Sequence, residues 1–176
     1  MKTNLVVTVT CPDQPGIVER LTEVMVAHSA NWEESRMARL GGDFAGIVKL
    51  SVPVDGAAPL AAALRAMAGE QMTVAVKVTE PAPPAATAGY RLCVLHLTGA
   101  DHEGIVHKVS AYLASRGINV ESMETEVVCA PITAAPLFQM AAQINVPPGL
   151  PPTELNASLQ RIAEETGVDI AIEPAA

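Results

Sequence analysis

The spacing of apolar residues changes along this chain in a fixed order, and the order occurs twice. Leu5 to Thr10 is a short β-rich run. From Gly16 the period becomes helical, with Ile17, Leu21, Val24 and Met25 at i, i+4, i+7 and i+8. Asn31 to Arg39 and Phe44 to Val52 then read as strands, joined by Leu40-Gly41-Gly42-Asp43, which suits a tight hairpin. Leu60, Leu64 and Met67 make a second helical stripe, and Met72 to Val78 a last strand. Further along, Ile105, Val109, Tyr112 and Leu113 repeat the first stripe. Leu155, Leu159 and Ile162 repeat the second, and Val168, Ile170 and Ile172 alternate as a closing strand.

Sliding the chain by 88 residues superposes the two halves. Val6 falls on Val94, Thr10 on Thr98, Asp13 on Asp101, and Gly16-Ile17-Val18 on Gly104-Ile105-Val106. Asn31 meets Asn119 and Glu33 meets Glu121. Later the offset is 94, where Phe44 meets Phe138 and Pro53 meets Pro147, so the second copy carries six extra residues. Shared Val or Ala follows from composition; shared Asp, Gly and Asn in register points to duplication.

The order β-α-β-β-α-β predicts an α+β fold of two tandem ferredoxin-like modules. Each is a four-stranded antiparallel sheet with two helices on one face, because right-handed crossovers place both there. The expected domains are residues 1–80 and 90–176, with the Pro/Ala stretch 81–89 as linker. The second sheet face stays open, and an isolated module of this size is marginal. The two copies are therefore expected to pack on each other, or on a second chain as a homodimer.

Composition narrows the function. Nearly half the residues are apolar, yet only 3% are aromatic. No apolar run approaches the ~18 residues of a membrane span, and no signal peptide is visible, so a cytoplasmic protein with no membrane contact is expected. Cys11, Cys93 and Cys129 have no metal-type spacing and read as reduced thiols. Residues 1–80 hold seven basic and nine acidic residues, and residues 81–176 four and ten. Neither half has the basic footprint that direct nucleic-acid binding needs. Any role in gene control then passes through another protein.

The turn from the first strand into the first helix stands out in both copies. It reads Cys11-Pro12-Asp13-Gln14-Pro15-Gly16-Ile17 and Gly99-Ala100-Asp101-His102-Glu103-Gly104-Ile105. Asp13 and Asp101 are placed to cap the helices, and Pro15 suits a first turn. Gly16 and Gly104 are poor helix formers, so a close approach by backbone or ligand is one reason for them. Free N–H groups and the helix dipole favour a carboxylate. Asn31 and Asn119 open the next strand, and their amides are expected at the same end of the module. Each residue also has a plain structural reading; the set, recurring twice, favours a ligand site.

The pattern Asp-x-x-Gly-Ile-Val, with Asn fifteen residues after the Gly, on a βαββαβ repeat resembles the ACT domain. The tandem pair, with Ala130-Pro131-Ile132-Thr133-Ala134-Ala135-Pro136-Leu137-Phe138 in the second copy, resembles the glycine cleavage system transcriptional repressor family. Ile132 and Ala134-Ala135 depart from that family's motif, where Met and Gly-Thr stand. The resemblance implies an amino-acid effector such as glycine at these loops. It also implies control of glycine-cleavage or related metabolism through contact with a transcriptional activator, or directly with a metabolic enzyme. Its ligand-binding residues would be Cys11, Pro12, Asp13, Gln14, Pro15, Gly16, Ile17 and Asn31, then Asp101, His102, Gly104, Ile105 and Asn119. Glu103 stands where the first copy has Pro15, so the two loops are not equivalent, and Glu103 would repel a carboxylate.

No phosphate loop, nucleophile elbow or zinc motif is present, so no catalytic residue, metal or cofactor is expected. His96, His102 and His107 lie close in sequence, but His102 and His107 point to different helix faces. A small enzyme centred on Cys11 or the His102 region is the rival reading, since this architecture hosts many functions.

Overall fold

A computed structural model of the chain describes residues 1–79, 89–131 and 134–175. Residues 80–88, with Ile132, Thr133 and Ala176, fall outside the described residues, so most of the expected linker and part of the repressor-like motif do too. The chain divides into two compact units, Met1–Pro84 and Ala85–Ala176.

The first unit runs β1 (Lys2–Pro12), α1 (Ile17–Ala27), β2 (Asn31–Leu40), β3 (Asp43–Pro53), a 3-10 turn (Val54–Gly56), α2 (Ala57–Ala66) and β4 (Thr73–Thr79). The second runs β5 (Arg91–Ala100), α3 (Ile105–Ser115), β6 (Asn119–Cys129), β7 (Pro136–Val146), α4 (Pro152–Thr166) and β8 (Val168–Pro174). The strand orders are β2-β3-β1-β4 and β6-β7-β5-β8, with every pairing antiparallel. This is the tandem ferredoxin-like arrangement that the order of elements predicts.

Period-2 burial makes each sheet two-sided. In β1, Leu5, Val7 and Val9 are buried against Leu21 and Met25 of α1 and Leu60 and Leu64 of α2. In the second unit, Leu95 and Leu97 of β5 meet Val109 and Leu113 of α3 and Leu155 and Leu159 of α4. The alternate positions, such as Thr8 and Lys49 or His96 and Glu124, face away from the helices and are exposed. Each unit thus has its own apolar core. Trp32 packs half-buried against the first core. Among the described residues no helix is long and apolar enough to cross a membrane.

The two copies differ in the connection between their second and third strands. β2 and β3 are joined by Gly41 and Gly42, with φ of 61° and 96°. Positive φ at both central residues is what the favoured two-residue hairpin turn requires. The matching connection in the second unit spans 130–135, and its ends are tied by Ala130 N–H donating to Ala135 O at 2.9 Å. The added residues therefore enlarge a loop and leave the sheet intact.

Candidate functional site

The recurring loop begins where β1 or β5 leaves its sheet. The Asp13 N–H donates to Gly42 O at 3.0 Å, and the Asp101 N–H to Pro136 O at 3.2 Å. These bonds moor each loop to the neighbouring hairpin. The chain then turns, and the residue before each helix is left-handed: Gly16 has φ 92°, and Gly104 has φ 90°. Helical bonding starts there, with Arg20 N–H on Gly16 O and Lys108 N–H on Gly104 O, both at 3.0 Å.

Two sequence expectations change at this point, the aspartate caps and the place of Pro15, and the glycines gain a backbone reason. Asp13 and Asp101 do not cap the helices; Gly16 and Gly104 occupy the cap position, and neither helix has a side-chain cap. The left-handed glycine turns the preceding residues away from the first-turn N–H groups. The Asp13 carboxylate instead meets Arg39 Nε at 3.0 Å. Pro15 lies in the turn before the helix, outside its first turn. The glycines recur for their backbone, since a Cβ on Gly104 would meet nothing within 4 Å, and one on Gly16 only Glu19 Oε2 at 3.8 Å. A left-handed conformation penalises every residue with a Cβ, whatever the surrounding space. Among the described residues, no side chain caps the N–H groups of the first turns.

The asparagines lie at the other end of the module. Asn31 pairs with Ser51, which pairs with Asn4 near the start of β1, whereas the loop follows Pro12 at its end. Eight residues at ~3.3 Å put the two places about 26 Å apart. The expectation that Asn31 and Asn119 join the loop's site within one module is therefore overturned. The crossover helix carries the chain back across the sheet before β2 begins. There Asn31 Nδ2 donates to Glu33 Oε1 at 3.0 Å, and the Ser51 hydroxyl donates to the same oxygen. These two donors hold the Glu33 carboxyl below its ordinary range, the Ser51 bond contributing most. In the second copy Asn119 and Asn145 both donate to Glu121 Oε1. Both carboxylates sit at a β-bulge, between Trp32 and Glu34 or Val120 and Ser122. Sequence reasoning finds Glu33 and Glu121 as matches and gives them no role. An Asn-x-Glu pair opening a strand is the available signal.

Of the remaining expected site residues, Cys11, Ile17 and Ile105 face the cores, with 5%, 3% and 2% exposure. They anchor the loops and are turned away from a ligand on the surface. Burial pushes the Cys11 thiol up, which makes it a poor nucleophile. Pro12, Gln14 and His102 are exposed, as are both aspartates and both glycines.

His102 is held at both ring nitrogens. Nδ1 lies 3.0 Å from Glu103 O, and Nε2 lies 2.8 Å from Thr166 O at the end of α4. Two carbonyl oxygens can both be satisfied only when both nitrogens carry protons, so these bonds raise the imidazole pKa, the Glu103 carbonyl first. His102 thus ties the second loop to α4. It and Cys11, the two centres of the rival enzyme reading, stand in different units. Among the described residues no three His, Cys, Asp or Glu side chains converge as metal ligands.

Two shallow concavities of the second unit have volumes of about 390 and 430 Å³. The first lies on the open sheet face between His96, Glu124 and Gln139; the second lies against the helices beside Lys108, Tyr112 and Arg161. Neither includes the recurring loop, which lies on the surface.

Comparison with known proteins fits this geometry. The family model described as ACT domain matches residues 3–79. A solved structure of an unknown protein from Galdieria sulphuraria is 35% identical, covers all of both chains and superposes with a TM-score of 0.86. A candidate glycine cleavage system transcriptional repressor is 19% identical over 98% of this chain and 97% of that one, with a TM-score of 0.72, a likeness of fold. Phosphoserine phosphatase SerB2 from Mycobacterium tuberculosis is 25% identical over 175 residues. The match takes 98% of this chain and spans 41% of that phosphatase's length.

Proposed function

Because the chain belongs to the ACT-domain proteins as a tandem pair, we propose that it is a non-catalytic regulator that senses a small amino acid. The observation that carries this is the loop built twice, each copy presenting an uncapped helix N-terminus behind a left-handed glycine. Unpaired N–H groups and the positive end of the helix dipole suit the carboxylate of a zwitterion. The ammonium falls to acceptors of the same loop, since the asparagines lie at the far end of the sheet. Glycine is the first effector to test, given the fold shared with a candidate glycine cleavage repressor. With no basic footprint in either half, the output passes through contact with a transcriptional activator in the cytoplasm rather than with DNA.

A calorimetric and thermal-shift screen of the common amino acids tests this. An effector at a hundred times its Kd stabilises the folded state by about 2.7 kcal/mol, well within reach of a melting curve. The expected result is a response to glycine or a close relative. Silence across the set, with and without a partner protein, sinks the proposal.

A second reading is that the chain acts directly on a metabolic enzyme. What favours it is the match to less than half the length of a phosphoserine phosphatase. Pull-down with the intact chain separates the two: an activator supports the first reading, a metabolic enzyme the second.

A further inference from the structure

The helix-free faces of the two sheets carry opposite charge. Strand register fixes which side chains lie on them. In the first unit, Val6 of β1 stands level with Lys49 of β3 and Lys77 of β4, and Glu34 and Arg36 of β2 stand beside Lys49 and Ile47. Over the length of β1 from Lys2 to Pro12, this face holds Lys2, Arg36, Lys49 and Lys77 against Glu33, Glu34 and Asp43, a balance of +1. In the second unit, Glu124 and Glu126 of β6 stand beside Ala141 and Gln139 of β7, and Asp169 and Glu173 of β8 beside Thr98 and Val94 of β5. With Glu121 at the bulge, this face carries five carboxylates, and its one basic group is His96, which meets Glu173 at 3.5 Å. The balance is −5 with the histidine neutral. These carboxylates and the first unit's cations are all exposed.

We propose that these two faces dock on each other between two copies of the chain, the first unit of one copy against the second unit of the other. Like faces repel, so the contact is heterologous; used twice about a two-fold axis, it closes a dimer. The area suffices. Four strands at ~4.8 Å spacing and about seven residues at ~3.3 Å give ~440 Å² per face. Each chain contributes both faces, ~880 Å², against the ~800 Å² per partner of a standard interface. Between the charges lie small or β-branched side chains, Val6, Thr8 and Ile47 on one face and Val94, Thr98 and Ala141 on the other, which allow close approach of the sheets.

Because the complementarity is of surface charge, the association must weaken with salt, as the Debye length falls from ~30 Å at 0.01 M to ~3 Å at 1 M. Sedimentation velocity on the intact chain should show dimer at low salt and monomer at high salt. Lys49→Glu with Lys77→Glu makes both faces acidic, and Glu124→Lys, Glu126→Lys and Asp169→Lys together take the second face from −5 to +1, basic like the first. Each of the two variants alone should weaken self-association at least about tenfold, and mixing them should restore a one-to-one dimer. Circular dichroism checks that each variant is folded; Lys49→Gln with Lys77→Gln serves if a reversal is not. A chain that is monomeric at low salt overturns the proposal. So does a dimer indifferent to salt and to both reversals, or a mixture of the variants that stays monomeric.

Discussion

Replacing Gly104 by alanine separates the backbone role of the recurring loop from a packing role. Gly104 has φ 90°, and a Cβ there would meet nothing within 4 Å. The only folded-state cost is then conformational. A left-handed residue with a Cβ costs roughly 1–2 kcal/mol. Alanine also restricts the unfolded chain, which returns roughly 0.4–1 kcal/mol. The net loss lies between about 0 and 1.6 kcal/mol, centred near ~0.8 kcal/mol, and at about 4–8 °C per kcal/mol for a domain of this size the central value lowers melting by about 3–6 °C. Gly149 supplies the control. A Cβ there would also meet open space, but its φ lies outside the left-handed region, so Gly149→Ala should be neutral or slightly stabilising. Gly104→Asn should lose less than Gly104→Ala, because asparagine tolerates the left-handed region better. Denaturant and thermal melts of the three variants measure this directly. If Gly104→Ala is as stable as Gly149→Ala, which shares the unfolded-state gain without the left-handed cost, the backbone explanation is wrong. A loss beyond about 3 kcal/mol would mean that the Cβ meets a packed contact after all. Once an effector is in hand, a folded Gly104→Ala variant that binds it unchanged removes the Gly104 loop from the site.

Two further outcomes follow from side-chain environments. Carbonyl bonds from Glu103 and Thr166 raise the His102 pKa, Asp101 adding to them and Lys108 opposing. Its contribution to stability is therefore complete below the ordinary imidazole value of 6.5 and is lost as pH rises through the higher folded value. The melting-temperature difference between the parent and His102→Gln should be largest in acid and shrink toward alkaline pH; a flat difference contradicts the clamp. Among the cysteines, Cys129 is exposed, Cys93 intermediate and Cys11 buried with a raised pKa. A thiol reagent should modify Cys129 first and Cys11 last, and equal rates for the two in folded protein would contradict the packing.

The fold is legible because each level of the sequence agrees with the next. Ile17, Leu21 and Met25 keep the helical period, Val168 and Ile170 alternate, and Gly41-Gly42 can adopt the two positive φ values their hairpin needs. The repeat offset locates both copies of every element. The site is less legible, because linear spacing does not say which end of a sheet a residue occupies. Asn31 follows Gly16 by fifteen residues, yet α1 spans the module between them. Capping misleads for a related reason. An aspartate three residues before a helical glycine looks like a cap in one dimension, while the glycine's left-handed φ, invisible in the sequence, hands the cap position to the glycine itself.

Recurrence selects for scaffold as well as for function, and the structure lets the two be separated residue by residue. Gly16 and Gly104 are explained by their φ, Ile17 and Ile105 by burial, and the Asn–Glu pairs by the bulges they bond across. Asp13 is explained in the first copy by Arg39. That explanation does not transfer, because the residue 88 positions after Arg39 is Val127. The shared N–H bonds to Gly42 and Pro136 need no aspartate either, since most residues carry that donor. Among the described residues, the Asp101 carboxylate makes no ion pair within 4 Å; it is sensed by His102 through space. An exposed aspartate beside an uncapped helix start offers an acceptor for an ammonium next to donors for a carboxylate. That pairing of opposite polarities is what a zwitterion requires, and Asp101 also favours the charged form of His102, which ties the loop to α4. Under the proposed function, Asp101→Asn tests the second loop: effector affinity should fall if the Asp101 carboxylate receives the ammonium, and unchanged affinity removes Asp101 from the site.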